Sequence, residues 1–134
     1  HYNEQGQLFL TEKYTDGQLN GLVEAFFPNG KKQYAYQYVN GKKSGQQKLY
    51  YRSGQLKQLL FYTADRLTGD NFLYYEDGKL QHHFHFNTDG QREDVWEKFH
   101  PNGQLKETIT YDKGNLTSPI QRFDVNGNLI NYTP

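Results

Sequence analysis

Glycine recurs in this chain with a period that leaves little freedom in the choice of fold. Gly6, Gly30, Gly54 and Gly78 are 24 residues apart, Gly103 follows after 25, and Gly127 after 24 again. A second series, Gly17, Gly41, Asp65, Gly90 and Gly114, carries the same single extra residue between its third and fourth members. Both series shift together, so one insertion lies between Gly78 and Gly90, around "HHFHFNTDG". Two independent markers moving in step define an internal repeat, and repeats of this length imply stacked supersecondary units.

Side chains follow the same period. Tyr2, Phe26, Tyr50, Tyr74, Phe99 and Phe123 stand four residues before the first-series glycines. Leu8, Leu56, Leu80, Leu105 and Leu129 stand two residues after, with Lys32 as the exception. Tyr14, Tyr38, Tyr62, Phe86 and Tyr111 stand eight after. Most of the glycines follow Asn or Asp, as in Asn29-Gly30, Asn40-Gly41, Asp77-Gly78 and Asn102-Gly103. Such pairs predict hairpin turns with positive φ at both central residues. Turns arrive alternately every 11 and 13 residues, leaving about 6 to 8 for each strand.

Between turns the period is two. Leu56, Gln58, Leu60 and Tyr62 share one face, as do Leu105, Glu107, Ile109 and Tyr111, while Lys106, Thr108 and Thr110 alternate with them. That pattern is a half-buried strand, and no segment sustains a helical period. The expected fold is all-β: an elongated antiparallel meander of about eleven strands in about five and a half 24-residue hairpin units. The units lie near 2–25, 26–49, 50–73, 74–98 and 99–122, with a partial one at 123–134, in a single domain. Ala at Leu56 or Tyr62 is expected to cost on the order of 2–5 kcal/mol, and Thr108→Ala under about 1.

The unit of paired aromatics, two residues, Gly, Lys or Gln, and Leu, with a further Tyr and glycine, resembles the MORN-repeat-variant family. "YYRSGQLK" (50–57), "YYEDGKLQ" (74–81), "FHPNGQLKETITYDKGNL" (99–116) and "YVNGKKSG" (38–45) carry the resemblance over nearly the whole chain. It implies a β-hairpin array that binds other proteins, and bacterial relatives include antitoxin-like and immunity-like proteins encoded beside toxins. Lys32, Asp65, Asp94 and Ser118 depart from the pattern.

Composition narrows the partner. Fifteen Lys and Arg balance fifteen Asp and Glu, which argues against nucleic acid or an anionic membrane surface as the main partner. No apolar run approaches the roughly 18 residues of a spanning helix. Cysteine is absent, which removes thiolate chemistry and disulfides without choosing a compartment. The chain also lacks methionine, so His1 is not a translation start. A removed leader and a trimmed start both account for this, and the expectation leans to an extracytoplasmic place in a bacterium.

No catalytic constellation is legible. Ser44, Ser53 and Ser118 lie in turn-like contexts, Glu93-Asp94 reads as a pair of loop acids, and no helix follows the closely spaced glycines to make a phosphate loop. In "HHFH", His83 and His85 share a strand face, but two imidazoles are too few for a closed metal site. Neither a cofactor nor a metal is expected, and the chain is expected not to be an enzyme. Aromatic surface is the better clue, since Phe and Tyr are abundant while overall hydrophobic content is only 34%. Phe27, Tyr51 and Tyr75, followed by His100, hold equivalent positions and predict a row opposite the Phe26, Tyr50, Tyr74, Phe99 row. With Trp96 these are the candidate partner-binding residues, because aromatic side chains with a polar handle dominate interfaces. The expected function is binding and neutralising a toxin or effector. The competing expectation is a structural or envelope-associated repeat protein that holds lipid, glycan or a scaffold.

Overall fold

A computed structural model describes residues 1–133. All regular structure in it is β, in two compact parts, His1–Leu67 and residue 68 onward. The first part contains β1 (Leu10–Thr11), β2 (Tyr14–Thr15), β3 (Gln18–Leu19), β4 (Gly21–Phe26), β5 (Lys32–Val39), β6 (Lys42–Lys43), β7 (Gly45–Tyr50), β8 (Leu56–Thr63) and β9 (Arg66–Leu67). Its sheet runs β1-β4-β5-β7-β8, with β6 on β5, β9 on β8, and β2-β3 as a separate hairpin. The second part contains β10 (Gly69–Tyr74), β11 (Leu80–Phe86), β12 (Arg92–Phe99), β13 (Leu105–Asp112), β14 (Asn115–Leu116), β15 (Ile120–Phe123) and β16 (Leu129–Thr133). Those strands follow the order β10-β11-β12-β13-β15-β16, with β14 on β13. The long strands pair antiparallel with the next long strand in the chain, as a meander requires, and β1 pairs β4 across the β2-β3 hairpin.

Two kinds of turn alternate, and only one is the kind expected. Asp16-Gly17, Asn40-Gly41, Ala64-Asp65 and Lys113-Gly114 carry positive φ at both central residues, the primed geometry of a two-residue loop. At Asn29-Gly30, Asp77-Gly78, Asp89-Gly90, Asn102-Gly103 and Asn126-Gly127 only the glycine has positive φ. There the loop is longer. Gly30 N–H donates to Phe27 C=O at 2.9 Å, and Phe27 N–H to Lys31 C=O at 2.8 Å. This is a type I turn closed by a left-handed glycine, whose bulge restores the strand twist. The inserted residue of the fourth unit converts one turn kind into the other: Asn87 and Gly90 repeat this bonding where sibling units have a primed turn.

Register confirms the alternating face. Val23 lies opposite Tyr36 and Ala25 opposite Tyr34; Gln47 lies opposite Leu60, Asn71 opposite Phe84, and Trp96 opposite Ile109. With no second layer on either sheet among the described residues, few side chains are fully enclosed. Val23, Ala25, Ala35 and Phe84 are the buried apolar ones, while Leu56 and Tyr62 are only half-buried. The cost of truncating Leu56 or Tyr62 is accordingly nearer 1–2 kcal/mol than the upper end of the expected range, since burial sets the transfer term.

The two most enclosed side chains are amides, Gln47 at 2% exposure and Asn71 at 0%. Gly45, at φ 92°, breaks the strand after the primed turn into β6 and β7, so β5 loses ladder partners beside Gln37. Gln47 supplies them. Its Oε1 accepts from Gln37 N–H at 2.8 Å, and its Nε2 donates to Gln37 C=O at 2.9 Å and Gly45 C=O at 3.2 Å. Buried backbone groups must be paired, and here a side-chain amide takes the place of a strand.

Candidate functional site

Phe27, Tyr51, Tyr75 and His100 share one local role, because each is the residue whose C=O and N–H close a first-series turn. All four are half-buried. Tyr75 shares a concavity with Leu73, His82, Lys98 and Phe99, whereas Tyr74 stacks on Phe72, which stacks on His83. The polar tips in the second part are engaged: Tyr75 Oη–H donates to Phe99 C=O at 2.7 Å, and His100 Nε2 lies 2.8 Å from Phe123 C=O. Each reaches the main chain one unit further on. Phe27 and Tyr51 instead carry cations on their rings, Arg52 at 5.6 Å and Lys57 at 5.4 Å from the centroids.

Trp96 stands at the same repeat position as Gln47 and takes over its donor role. Its Nε1–H donates to His85 C=O at 2.9 Å, the counterpart of the Gln37 carbonyl. The indole packs edge-on to Phe86 and Tyr111 and at a tilt to Phe84. Arg92 lies over both Trp96 and Tyr111, 5.7 and 5.4 Å from the centroids. These residues, with His82, Lys98 and Glu107, line a shallow cavity of about 270 Å³. Burial pushes the His82 imidazole below its ordinary range, assisted by Lys98, and its Nε2 has no hydrogen-bond partner. Lys43 covers Tyr36 and Tyr62 in the first part at 4.7 and 5.3 Å. Aromatic rings capped by cations thus recur on both parts.

His83 and His85 do share a face, and the structure adds what the strand pattern could not show. Asp70 from β10 places Oδ1 3.0 Å from His83 Nε2 and 3.1 Å from His85 Nδ1. Those contacts, His83 first, hold the Asp70 carboxyl below the usual carboxylate range. Glu97 lies 3.3 Å from His83 Nδ1, while Glu93 and Asp94 each lie 4.0 Å from His85 Nε2. Sequence reasoning missed Asp70 and Glu97 because they come from neighbouring strands, and it took Glu93-Asp94 for loop acids, whereas both lie in β12. The available signal was Asp94, which stands where three sibling units have glycine.

The architecture defines a β-hairpin repeat protein whose faces carry aromatic and charged side chains. The MORN repeat variant model matches residues 19–40, 43–64, 67–88 and 95–113, more than half of the chain, which therefore belongs to that family. Such repeats are generally protein- or membrane-binding modules. Each of the first three matches begins in a primed-turn region and has a first-series turn near its centre, so it frames one long hairpin. No curated protein matches the chain. Among solved structures, a mutant of S. aureus TarM in complex with fondaparinux, alpha-GlcNAc-glycerol and UDP aligns at a TM-score of 0.46 and 9% identity, over 80% of this chain and 20% of that one.

Proposed function

We propose that this chain acts by binding and not by catalysis, as an immunity- or antitoxin-like module that occludes a toxin or secreted effector. The observation that carries the reading is the recurrence of cation-capped aromatic rings: Arg52 on Phe27, Lys57 on Tyr51, Lys43 on Tyr36 and Tyr62, and Arg92 on Trp96 and Tyr111. Aromatic and Arg side chains are enriched where protein interfaces gain their energy. A partner with an acidic surface draws the cations onto its carboxylates and packs on the uncovered rings. Stable complexes of this kind bury about 800 Å² per partner, more than a small shallow cavity offers, so an extended protein surface fits better than a small molecule.

The test begins with co-purification from the native host and identification of the partner by mass spectrometry. Two variants then separate interface from packing. Arg52→Glu with Lys57→Glu keeps both rings and is expected to weaken binding more than about tenfold, with melting unchanged. Tyr51→Ala with Tyr75→Ala is expected to weaken it more than about 2 kcal/mol. A folded charge-reversal variant that binds like the parent would remove the reading. Retention on liposomes or glycan in place of a protein would favour the envelope-associated alternative.

A further inference from the structure

In a repeat protein each position has siblings, so a residue can be judged against the same position in other units. His83 stands where its siblings are Ala35, Leu59 and Thr108, and His85 where they are Gln37, Phe61 and Thr110. Asp70 stands for Leu22, Gln46 and Val95, and Glu93 for Asn20, Ser44, Thr68 and Thr117. Asp94 stands for Gly21, Gly45, Gly69 and Ser118. None of these siblings ionises, yet all five departures meet at one place. The bulge between His83 and His85, which sibling units share, allows it: three residues of β12 face Phe84 alone, and a bulge of that kind lets neighbours such as Glu93 and Asp94 approach the same side chain. Asp94 keeps φ at 64°, the region its glycine siblings occupy.

We infer that His85, Glu93 and Asp94 form a binding site for a divalent transition-metal ion of the zinc class. Their ligand atoms lie within 4.8 Å of one another. His85 Nε2 is 4.0 Å from Glu93 Oε2 and 4.0 Å from Asp94 Oδ2. That separation is too long for a hydrogen bond and wider than the roughly 3.3–3.6 Å between ligands on a tetrahedral ion with bonds of about 2.0–2.2 Å, so the side chains close on the ion by about half an ångström. The other imidazole nitrogen fixes the tautomer. Nδ1–H donates to Asp70 Oδ1 at 3.1 Å, which leaves the Nε2 lone pair facing the two carboxylates. His83, bonded to that same Asp70 oxygen at 3.0 Å and to Glu97 at 3.3 Å, holds the orienting carboxylate in place. Imidazole with carboxylates selects zinc, cobalt, nickel or manganese over calcium and magnesium, which take oxygen alone. His85 and Glu93 are partly open, at 24% and 30% side-chain exposure, so remaining positions are left to water or to a side chain from outside.

Zinc titration of the full chain by calorimetry, with melting followed in parallel, tests the site. One equivalent of zinc is expected to bind and to raise the melting temperature. Asp94→Gly restores the sibling residue, so it is expected to keep the fold while lowering zinc affinity at least tenfold. His85→Gln is expected to abolish the melting shift. His1 and Glu12 form a separate imidazole–carboxylate contact at 2.6 Å, so all measurements use a His1→Gln background. No zinc binding by this folded parent, or equal binding in Asp94→Gly and His85→Gln, would overturn the inference.

Discussion

Gln47 shows how a single polar side chain in mid-strand can matter more than its apolar neighbours. Replacing it with Leu keeps the volume but leaves Gln37 N–H without its partner and Gln37 C=O with the Ser44 N–H at 3.0 Å alone. The expected cost is about 1–3 kcal/mol in denaturant unfolding, because a buried backbone N–H is left unpaired. Gln46→Ala, one residue away and exposed, is expected to cost under about 0.5 kcal/mol. His82 supplies the pH dependence. Its pKa is depressed in the fold by burial, so the unfolded chain binds the proton more readily. Stability is therefore lost as pH falls below about 6.5, the ordinary histidine value. Melting curves at pH 7.5 and 5.5 should show a larger acid-induced drop for the parent than for His82→Gln. These roles were not legible in the chain: an amide among alternating residues looks solvated, and only register reveals that Gln37 lacks a strand beside it.

At the level of elements, the turns divide what was readable from what was not. Their positions follow from glycine spacing, and the face shared by Leu56, Leu60 and Tyr62 from the period of two between turns. Their conformations do not, since Asn-Gly serves the primed turn at Asn40 and the type I turn at Asn29 equally. Loop length decides between them, and it depends on where pairing resumes. The turn at Ala64-Asp65 is the exception, holding φ of 47° and 68° without glycine. Asp65 is retained by its contacts: Oδ1 accepts from Lys43 N–H at 2.7 Å. Ala64→Gly is thus expected to stabilise by about 0.5–1 kcal/mol, relieving left-handed strain net of the unfolded-state entropy of glycine. Asp65→Gly relieves the same strain but discards the carboxylate bond, so it is expected to give no gain. Chemical denaturation of the two variants side by side checks the difference. The histidine cluster divides likewise: His83 and His85 are visible as a pair, but Asp70, Glu93 and Asp94 join them only through pairing around a bulge.

For the molecule as a whole, stability follows local pairing, because each strand touches mainly its sequence neighbours. Within the first part, β2 and β3 form a hairpin outside the main sheet, and two strands alone are marginal in water. Their amides are expected to exchange with solvent at least about 100-fold faster than those shared by β4 and β5, as read by hydrogen exchange. Equal protection would show that β2–β3 opens only when the sheet does. The units are also joined by bonds that involve no side chain. Gly41 N–H donates to Leu19 C=O at 2.8 Å, Asp65 N–H to Lys43 C=O at 2.9 Å, and Gly114 N–H to Arg92 C=O at 2.8 Å. A joint made from main chain alone is blind to sequence. Copies can accordingly drift, one gaining histidines and acids and another keeping leucines, without losing their seat on the neighbour. Such a chain can lengthen by duplication and specialise one copy at a time, as the histidines and acids of the fourth unit illustrate.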